Sequence, residues 1–397
     1  MTGNLTWEDR SSAQRIGLAV TLTGAISVAT LVPTLLSVLA PLVTSDLGLS
    51  RSAFGVLVTC VFIGGGLTSV KAGGIVDQLG GRRTLLLLYA LGTVTIGLVA
   101  VAPNYWWLLG AAFLAGFPGA LSNPVTNQVI STQVPAGRRG LVVGFKQSGA
   151  QVAQTTGGLV LPPLALALGW RGAALVVATL PLVGVVATHR LLRPQPVPTS
   201  RPAIVPLVIK GPIASLTIYA LLMSLGTAAV ITYLPLFAFE VLGFSVPAAG
   251  VVASVSGVAG FLGRIVWGRA AELLISPSIA LIVIAGASVA SVVALLLAPG
   301  AVWLVWPAAV AYGATAGAWS AVGMLAVLND VDPAQAGRAS GVVLLGFYGG
   351  FITSPILFGS LADRTGSYAA GWVLVGIVFL GSVAVALRWH RQRGAAH

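Results

Sequence analysis

Apolar residues fill this chain in blocks of about twenty, separated by short polar breaks, and blocks of that length match membrane-crossing helices. The pattern predicts twelve spans, at roughly 16–43, 52–75, 84–102, 106–132, 140–168, 171–190, 211–240, 247–272, 277–297, 300–329, 338–361 and 369–389. One connector is longer than the rest. The stretch "HRLLRPQPVPTSRPAIVPLVIKG" (189–211) is rich in proline and basic residues and divides the spans six and six. The predicted organisation is a tail over 1–15, a six-helix bundle over 16–190, a linker over 191–210, a second six-helix bundle over 211–389 and a tail over 390–397.

Composition agrees with an all-α membrane protein. Of 397 residues, 57% are hydrophobic and 8% charged, too few charges to clothe a soluble domain of this size. The polar start, Met1 to Arg15, leads straight into the first span, so no cleavable signal is expected. Cys60 is the only cysteine, which excludes an internal disulfide and a thiolate metal cluster.

Charge sets the expected orientation. An even number of spans puts both termini on the face of the central linker. That face collects Arg10, Arg15, Arg82, Arg83, Arg138, Arg139, Arg190, Arg193, Arg201, Lys210, Arg269, Arg338, Arg388, Arg391 and Arg393, against Arg51, Arg171 and Arg364 on the other. The positive-inside rule then places both termini in the cytoplasm. A cationic rim facing anionic lipid accounts for the net charge of +12, and no nucleic-acid partner is expected.

The two halves echo each other. "PAGRRGLVVGFKQSG" before and into the fifth span is similar to "PAQAGRASGVVLLGFYGG" before and into the eleventh, and the second span aligns with the eighth through Gly65 with Gly260 and Gly73 with Gly268. Repeated six-helix halves are a common layout of secondary transporters, with the substrate site near the midplane. The stretch "GGIVDQLGGRR" (73–83), after the second span, resembles the signature of the major facilitator superfamily, although Gln78 and Gly81 stand where basic residues are common. The resemblance covers the whole chain and implies the major facilitator fold, two pseudo-symmetric six-helix bundles working by alternating access. It also implies a gating role for Gly73, Asp77, Arg82 and Arg83, which would latch the cytoplasmic side in the outward-facing state. A second letter match, "GSLADRTG" (359–366), falls on the opposite face and is given no gating role.

Three cations remain inside spans: Lys71, Lys146 and Arg264. Each lies six to eight residues from a charge at the cytoplasmic edge, hence roughly 9–12 Å deep. The acids are Glu8, Asp9, Asp46, Asp77, Glu240, Glu272, Asp330, Asp332 and Asp363, all in tails, loops or span ends. Cations without a carboxylate in a low-dielectric interior attract an anion and repel a cationic drug. Lys71 can instead snorkel to the headgroups. Lys146 either binds substrate or bonds a neighbouring helix. Arg264, in "GFLGRIVWGRAAE", resembles the arginine of anion-carrying branches of the superfamily (oxalate, monocarboxylate and nitrate carriers), where a planar fork grips oxyanions. The alternative is a packing arginine bonded to carbonyls of a broken helix.

Uncharged polar residues complete the candidates. Asn123 and Asn127, in "LSNPVTNQVI", stand one turn apart around Pro124 and serve either substrate contact or interhelical hydrogen bonds. Gln147, Gln151 and Gln154 could orient a ligand, with Tyr219, Tyr312, Trp319 and Tyr348 as walls. "NPVTN" and "FKQSG" have a finer likeness to cyanate and nitroimidazole permease-like carriers.

The expected function is therefore a secondary active or facilitative transporter of a small, carboxylate-like anion, a symporter or exchanger that acts as a monomer in a bacterial-type cytoplasmic (plasma) membrane. Arg264, Lys146, Gln147, Gln151, Asn123, Asn127, Tyr348 and Tyr219 are its expected substrate contacts, and protons are a possible co-substrate. The competing expectation is a proton-coupled exporter of drugs or metabolites. The fifth span lacks the Gly-Pro-x-x-Gly-Gly stretch of such antiporters, and no acid is embedded in the membrane. No nucleotide-binding loop, nucleophile–base set or metal cluster is visible, so neither enzymatic activity nor a cofactor is expected.

Overall fold

The computed structural model describes residues 11–192, 212–330 and 336–394; nearly all of the expected linker and parts of both expected tails lie outside them. The described chain is helical, with no strand. Its elements are α1 (Ser12–Val38), α2 (Ala40–Leu47), α3 (Arg51–Ala100), α4 (Tyr105–Gln133), α5 (Ala136–Gln147), α6 (Gly149–Ala178) and α7 (Leu180–Leu191), then α8 (Pro212–Glu240), α9 (Val246–Leu273), α10 (Pro277–Leu297), a 3₁₀ turn at Val302–Leu304, α11 (Val305–Ala314), α12 (Trp319–Asp330), α13 (Ala336–Thr365) and α14 (Ala369–Gly394).

Ten helical runs among the described residues are long and apolar enough to cross a membrane. Two of them, Arg51–Ala100 and Gly137–Leu191, hold 50 and 55 residues. At 1.5 Å per residue each would extend more than twice the ~30 Å hydrocarbon core, so each must turn back. They break at glycines: Gly80 (φ 74°, ψ 161°) and Gly169 (φ 72°, ψ 162°). These backbone values are open to glycine and strained for any residue with a Cβ. Counting both as double passes makes twelve spans, and both breaks fall in gaps of the hydropathy pattern. Side-chain caps start other helices: Asn104 Oδ1 accepts the Trp107 N–H at 3.0 Å, and Ser245 Oγ accepts that of Ala248 at 3.3 Å.

The tenth span departs from expectation. Instead of one helix over 300–329, it is interrupted between α11 and α12 by a turn at 315–318. The Thr315 hydroxyl bonds back to Ala311 O at 2.6 Å, and the Gly317 N–H reaches past the helical register to Tyr312 O at 3.0 Å.

The chain divides into two compact units, Met1–Leu36 with Cys60–Gln154 and Pro163–Pro202, and Ser37–Thr59 with Thr155–Pro162 and Ala203–His397. In the first, Leu18, Leu22, Leu85, Leu88, Tyr89, Leu121 and Val129 share one buried cluster. The Tyr89 hydroxyl donates to the carbonyl of Thr21. α3 and α4 approach at backbone distance, since a Cβ on Gly116 would stand 2.1 Å from Val61 O and one on Gly64 would stand 2.0 Å from Phe113 O.

The second unit joins α8 to α14 with short stretches from earlier in the chain. Thr59 Oγ1 donates to Ile352 O at 2.8 Å, Ser37 Oγ to Ile231 O at 2.5 Å, and Ser254 Oγ to Thr155 O at 2.8 Å. A Cβ on Gly55 would stand 2.3 Å from Pro355 O, and one on Gly158 would stand 2.3 Å from Gly250 O. Small residues at these positions let residues 37–59 and 155–162 seat against the later helices.

Candidate functional site

In the first unit, the junction of α5 and α6 is pinned to α1. Thr23 Oγ1 donates to Phe145 O at 3.2 Å, Ser27 Oγ donates to Gly149 O at 2.8 Å, and a Cβ on Gly149 would collide with Thr23 O at 2.3 Å. This seating carries Lys146 into the protein, where its side chain is 0% exposed. Its Nζ donates to three oxygens of α4: Asn127 Oδ1 at 2.6 Å, Thr126 Oγ1 at 2.8 Å and Asn123 Oδ1 at 3.3 Å. The Thr126 hydroxyl spends its own hydrogen on Ser122 O at 2.6 Å, leaving a lone pair for the lysine. Three hydrogens of an ammonium thus meet three neutral acceptors, and no carboxylate among the described residues takes part.

Around that cluster, Asn123 and Asn127 are exposed, with Lys146 beneath them. Gln147 is exposed, Gln154 is half-buried and Gln151 is buried, and each has an interaction of its own. Lys71 is exposed, as a snorkelling lysine would be.

In the second unit, the interruption between α11 and α12 frees backbone carbonyls inside a span, where each needs a donor. Trp267 Nε1 supplies one to Ala314 O at 2.8 Å, Thr227 Oγ1 one to Ala316 O at 3.2 Å, and Arg264 Nε one to Gly317 O at 3.3 Å. Arg264 is half-buried and has further interactions. α9 can approach this turn because Gly263 and Gly313 lack side chains: Cβ atoms there would stand 2.5 Å from Ala314 O and 2.1 Å from Ser256 O. Arg264 thus lends Nε to a carbonyl of the interrupted span, one of the five N–H groups of its guanidinium.

The aromatic candidates differ in placement. Tyr219 and Tyr312 are buried and donate to the carbonyls of Leu281 at 2.9 Å and Thr227 at 3.1 Å. Trp319 is buried edge-on to Tyr219, with centroids 5.9 Å apart. Tyr348 is half-buried against Phe347. The hydroxyls of Tyr219 and Tyr312 tie helices together.

Of the residues with an expected gating role, Asp77 and Arg83 are exposed. Arg82 Nη2 donates to His189 Nδ1 at 2.8 Å. No hydrogen bond or ion pair among the described residues holds Asp77. Gly73 has open space where a Cβ would stand. By contrast, Asp363, in the segment given no gating role, accepts the backbone N–H groups of Arg51 and Ser52 at 3.1 and 2.8 Å. Beside it the Arg51 guanidinium pairs with Glu240 at 2.7 Å and stacks over Tyr368, whose hydroxyl donates to Glu240 at 3.1 Å. Burial, with Glu240 beside it, holds that phenol above its ordinary range, so it stays a donor.

Comparison with known proteins places this geometry. A hexuronate transporter of Bacillus subtilis (strain 168) is 24% identical over 378 residues, covering 88% of this chain and 89% of its own. A niacin transporter, NiaP, of Acinetobacter baylyi is 33% identical over 138 residues, 33% of this chain and 30% of its own. The multidrug resistance protein MdtG of Rahnella sp. (strain Y9602) is 28% identical over 219 residues, 52% of this chain and 53% of its own. Among solved structures, an inward-facing, unoccupied bacterial homolog of the human lysosomal transporter Spinster superposes with TM-score 0.77 at 17% identity, over 96% of this chain and 98% of that one. The Major Facilitator Superfamily profile matches residues 21–351, most of the chain, and the chain belongs to that superfamily.

Proposed function

We propose that this transporter carries a small anion with a carboxylate-like group, by alternating access, in a bacterial-type cytoplasmic membrane with both termini inside. One observation carries the reading: Lys146 holds a cation inside the span region, 0% exposed and, among the described residues, met only by neutral oxygens. A charge so placed is costly unless something negative comes near it during the working cycle. The described acids offer little, since Asp46, Asp77, Glu240, Glu272, Asp330 and Asp363 all stand within a few residues of a helix end or of the Gly80 break. Hexuronates and niacin, the substrates named for two relatives, are both carboxylates at neutral pH. In this reading the Arg264 guanidinium takes part in binding the anion, Gln147, Gln151 and Tyr348 orient it, and Asp77 with Arg82 and Arg83 gates the cytoplasmic side. Catalysis has no part in it.

The competing reading, a drug exporter, is favoured by MdtG, which is related over about half its length. The deciding experiment is counterflow in proteoliposomes with labelled glucuronate, nicotinate and inorganic anions, repeated with Arg264→Ala. Accumulation of anions that falls at least tenfold in the variant supports the reading. Transport confined to cations or neutral compounds overturns it.

A further inference from the structure

Lys146 has no exposed surface, and its three hydrogens are taken by Asn123, Thr126 and Asn127. The ammonium therefore makes no direct contact with a ligand, and hydrogen bonds to one come from those partners. An ammonium donates and cannot accept, so each carboxamide must turn its oxygen inward to the lysine. The amide nitrogen of each is thereby aimed away from it. Asn123 and Asn127 are exposed, one helical turn apart, and both oxygens lie within 3.3 Å of one nitrogen, so the two amides converge. No protein acceptor among the described residues takes either NH₂ group.

We infer that Lys146 is a positioning residue that locks Asn123 and Asn127 as a paired N–H donor site for the carboxylate of the transported anion. This rests on the anion reading above and deepens it. The buried charge polarises both amides, which strengthens their outward donors by hydrogen-bond cooperativity. The site offers only donors. It therefore takes a carboxylate or similar oxyanion and discriminates against a ligand whose matching group is an amine. A helix-to-helix clamp would use the same three bonds and have no need for the outward NH₂ groups, and that difference can be tested.

Asn127→Asp separates the two roles. It gives the ammonium a carboxylate in place of an amide at the shortest of the three contacts, so a clamp is kept or strengthened, while the outward donor becomes an acceptor. In proteoliposomes loaded with the full-length protein, uptake of labelled nicotinate and glucuronate should show KM raised tenfold or more, with the unfolding midpoint in detergent unchanged or higher. Lys146→Met, which frees both amides to turn, should raise KM as well. If Asn127→Asp does not fold, Asn123→Asp at the longer 3.3 Å contact carries the same test. Wild-type anion uptake with KM within twofold in the Asp variants and in Lys146→Met would overturn this inference alone. Failure of the wild-type protein to take up any anion would overturn the functional reading beneath it.

Discussion

The carboxylate of Asp363 caps the helix that Ser52 helps to begin: its Oδ2 accepts the Ser52 N–H at 2.8 Å, and its Oδ1 that of Arg51 at 3.1 Å. An anion at a helix N-terminus satisfies otherwise orphaned donors and complements the dipole. Because α13 supplies the anion and α3 the donors, this is a cap between helices more than 300 residues apart in sequence. Glu240 and Tyr368 hold the Arg51 side chain on the same spot.

Asp363→Ala should loosen α3 from α13. A side-chain cap is typically worth about 1 kcal/mol and at most about 2, and this one accepts two backbone N–H groups. A loss of 1–2 kcal/mol multiplies the open population by about 5–30. Thr59 reports it, being 1% exposed with its hydroxyl on Ile352 O. In a Cys60→Ser, Thr59→Cys background, Asp363→Ala should speed maleimide labelling by that factor. An unchanged rate would show that the cap does not restrain the contact.

Thr126→Val tests the Lys146 cluster from its buried side. The substitution keeps volume and removes one acceptor of the ammonium together with the bond to Ser122. Leaving a buried donor short of a partner costs about 1–3 kcal/mol, more for charged groups. A lower unfolding midpoint is expected, with Thr126→Ser restoring most of it. The outward amides of Asn123 and Asn127 stay held by the remaining two bonds, so KM for anions should move much less than in Asn127→Asp.

Legibility in the sequence followed the range of the interaction. Hydropathy is read residue by residue, so the gaps that contain Gly80 and Gly169 were visible, and the twelve-span plan with them. The break at 315–318 was not: "GATAGAWS" is small and apolar, with neither proline nor charge to mark it, and it depends on donors from Arg264, Trp267 and Thr227 on other helices. Lys146 stood out as an ammonium in an apolar run, and Asn123 and Asn127 as amides in another, but nothing local joined them. Thr126 gave no signal because threonine is ordinary in spans. Asp363 looked like a stray letter match, since its partner helix begins far upstream.

Trp267→Phe and Arg264→Lys should behave differently. Trp267 Nε1 serves only the Ala314 carbonyl. Its loss strands a carbonyl within a span, costing about 1–3 kcal/mol of stability, with KM for anions within twofold. Arg264→Lys keeps the charge and loses the planar fork, along with the donor to Gly317 O. It should raise KM several-fold beyond any loss of stability. Equal KM values in the two variants, measured beside their unfolding midpoints, would reduce Arg264 to a support of the broken helix.

Gly80 and Gly81 stand side by side in the stretch that resembles the superfamily signature, Gly81 in a place where a basic residue is common, and they should tolerate alanine unequally. Gly80 holds φ 74° and ψ 161°, where a Cβ costs about 1–3 kcal/mol whatever the surrounding space. Gly81 is instead crowded: a Cβ there would stand 2.7 Å from Val129 Cγ2, the end of a side chain that can shift. Gly80→Ala must either strain the backbone or straighten the break, and a 50-residue helix cannot stay straight within the bilayer. The expected result is a lower unfolding midpoint and less protein in the membrane for Gly80→Ala, with a smaller loss for Gly81→Ala. The reverse order would mean that packing against α4, and not the backbone conformation at Gly80, is what this stretch requires.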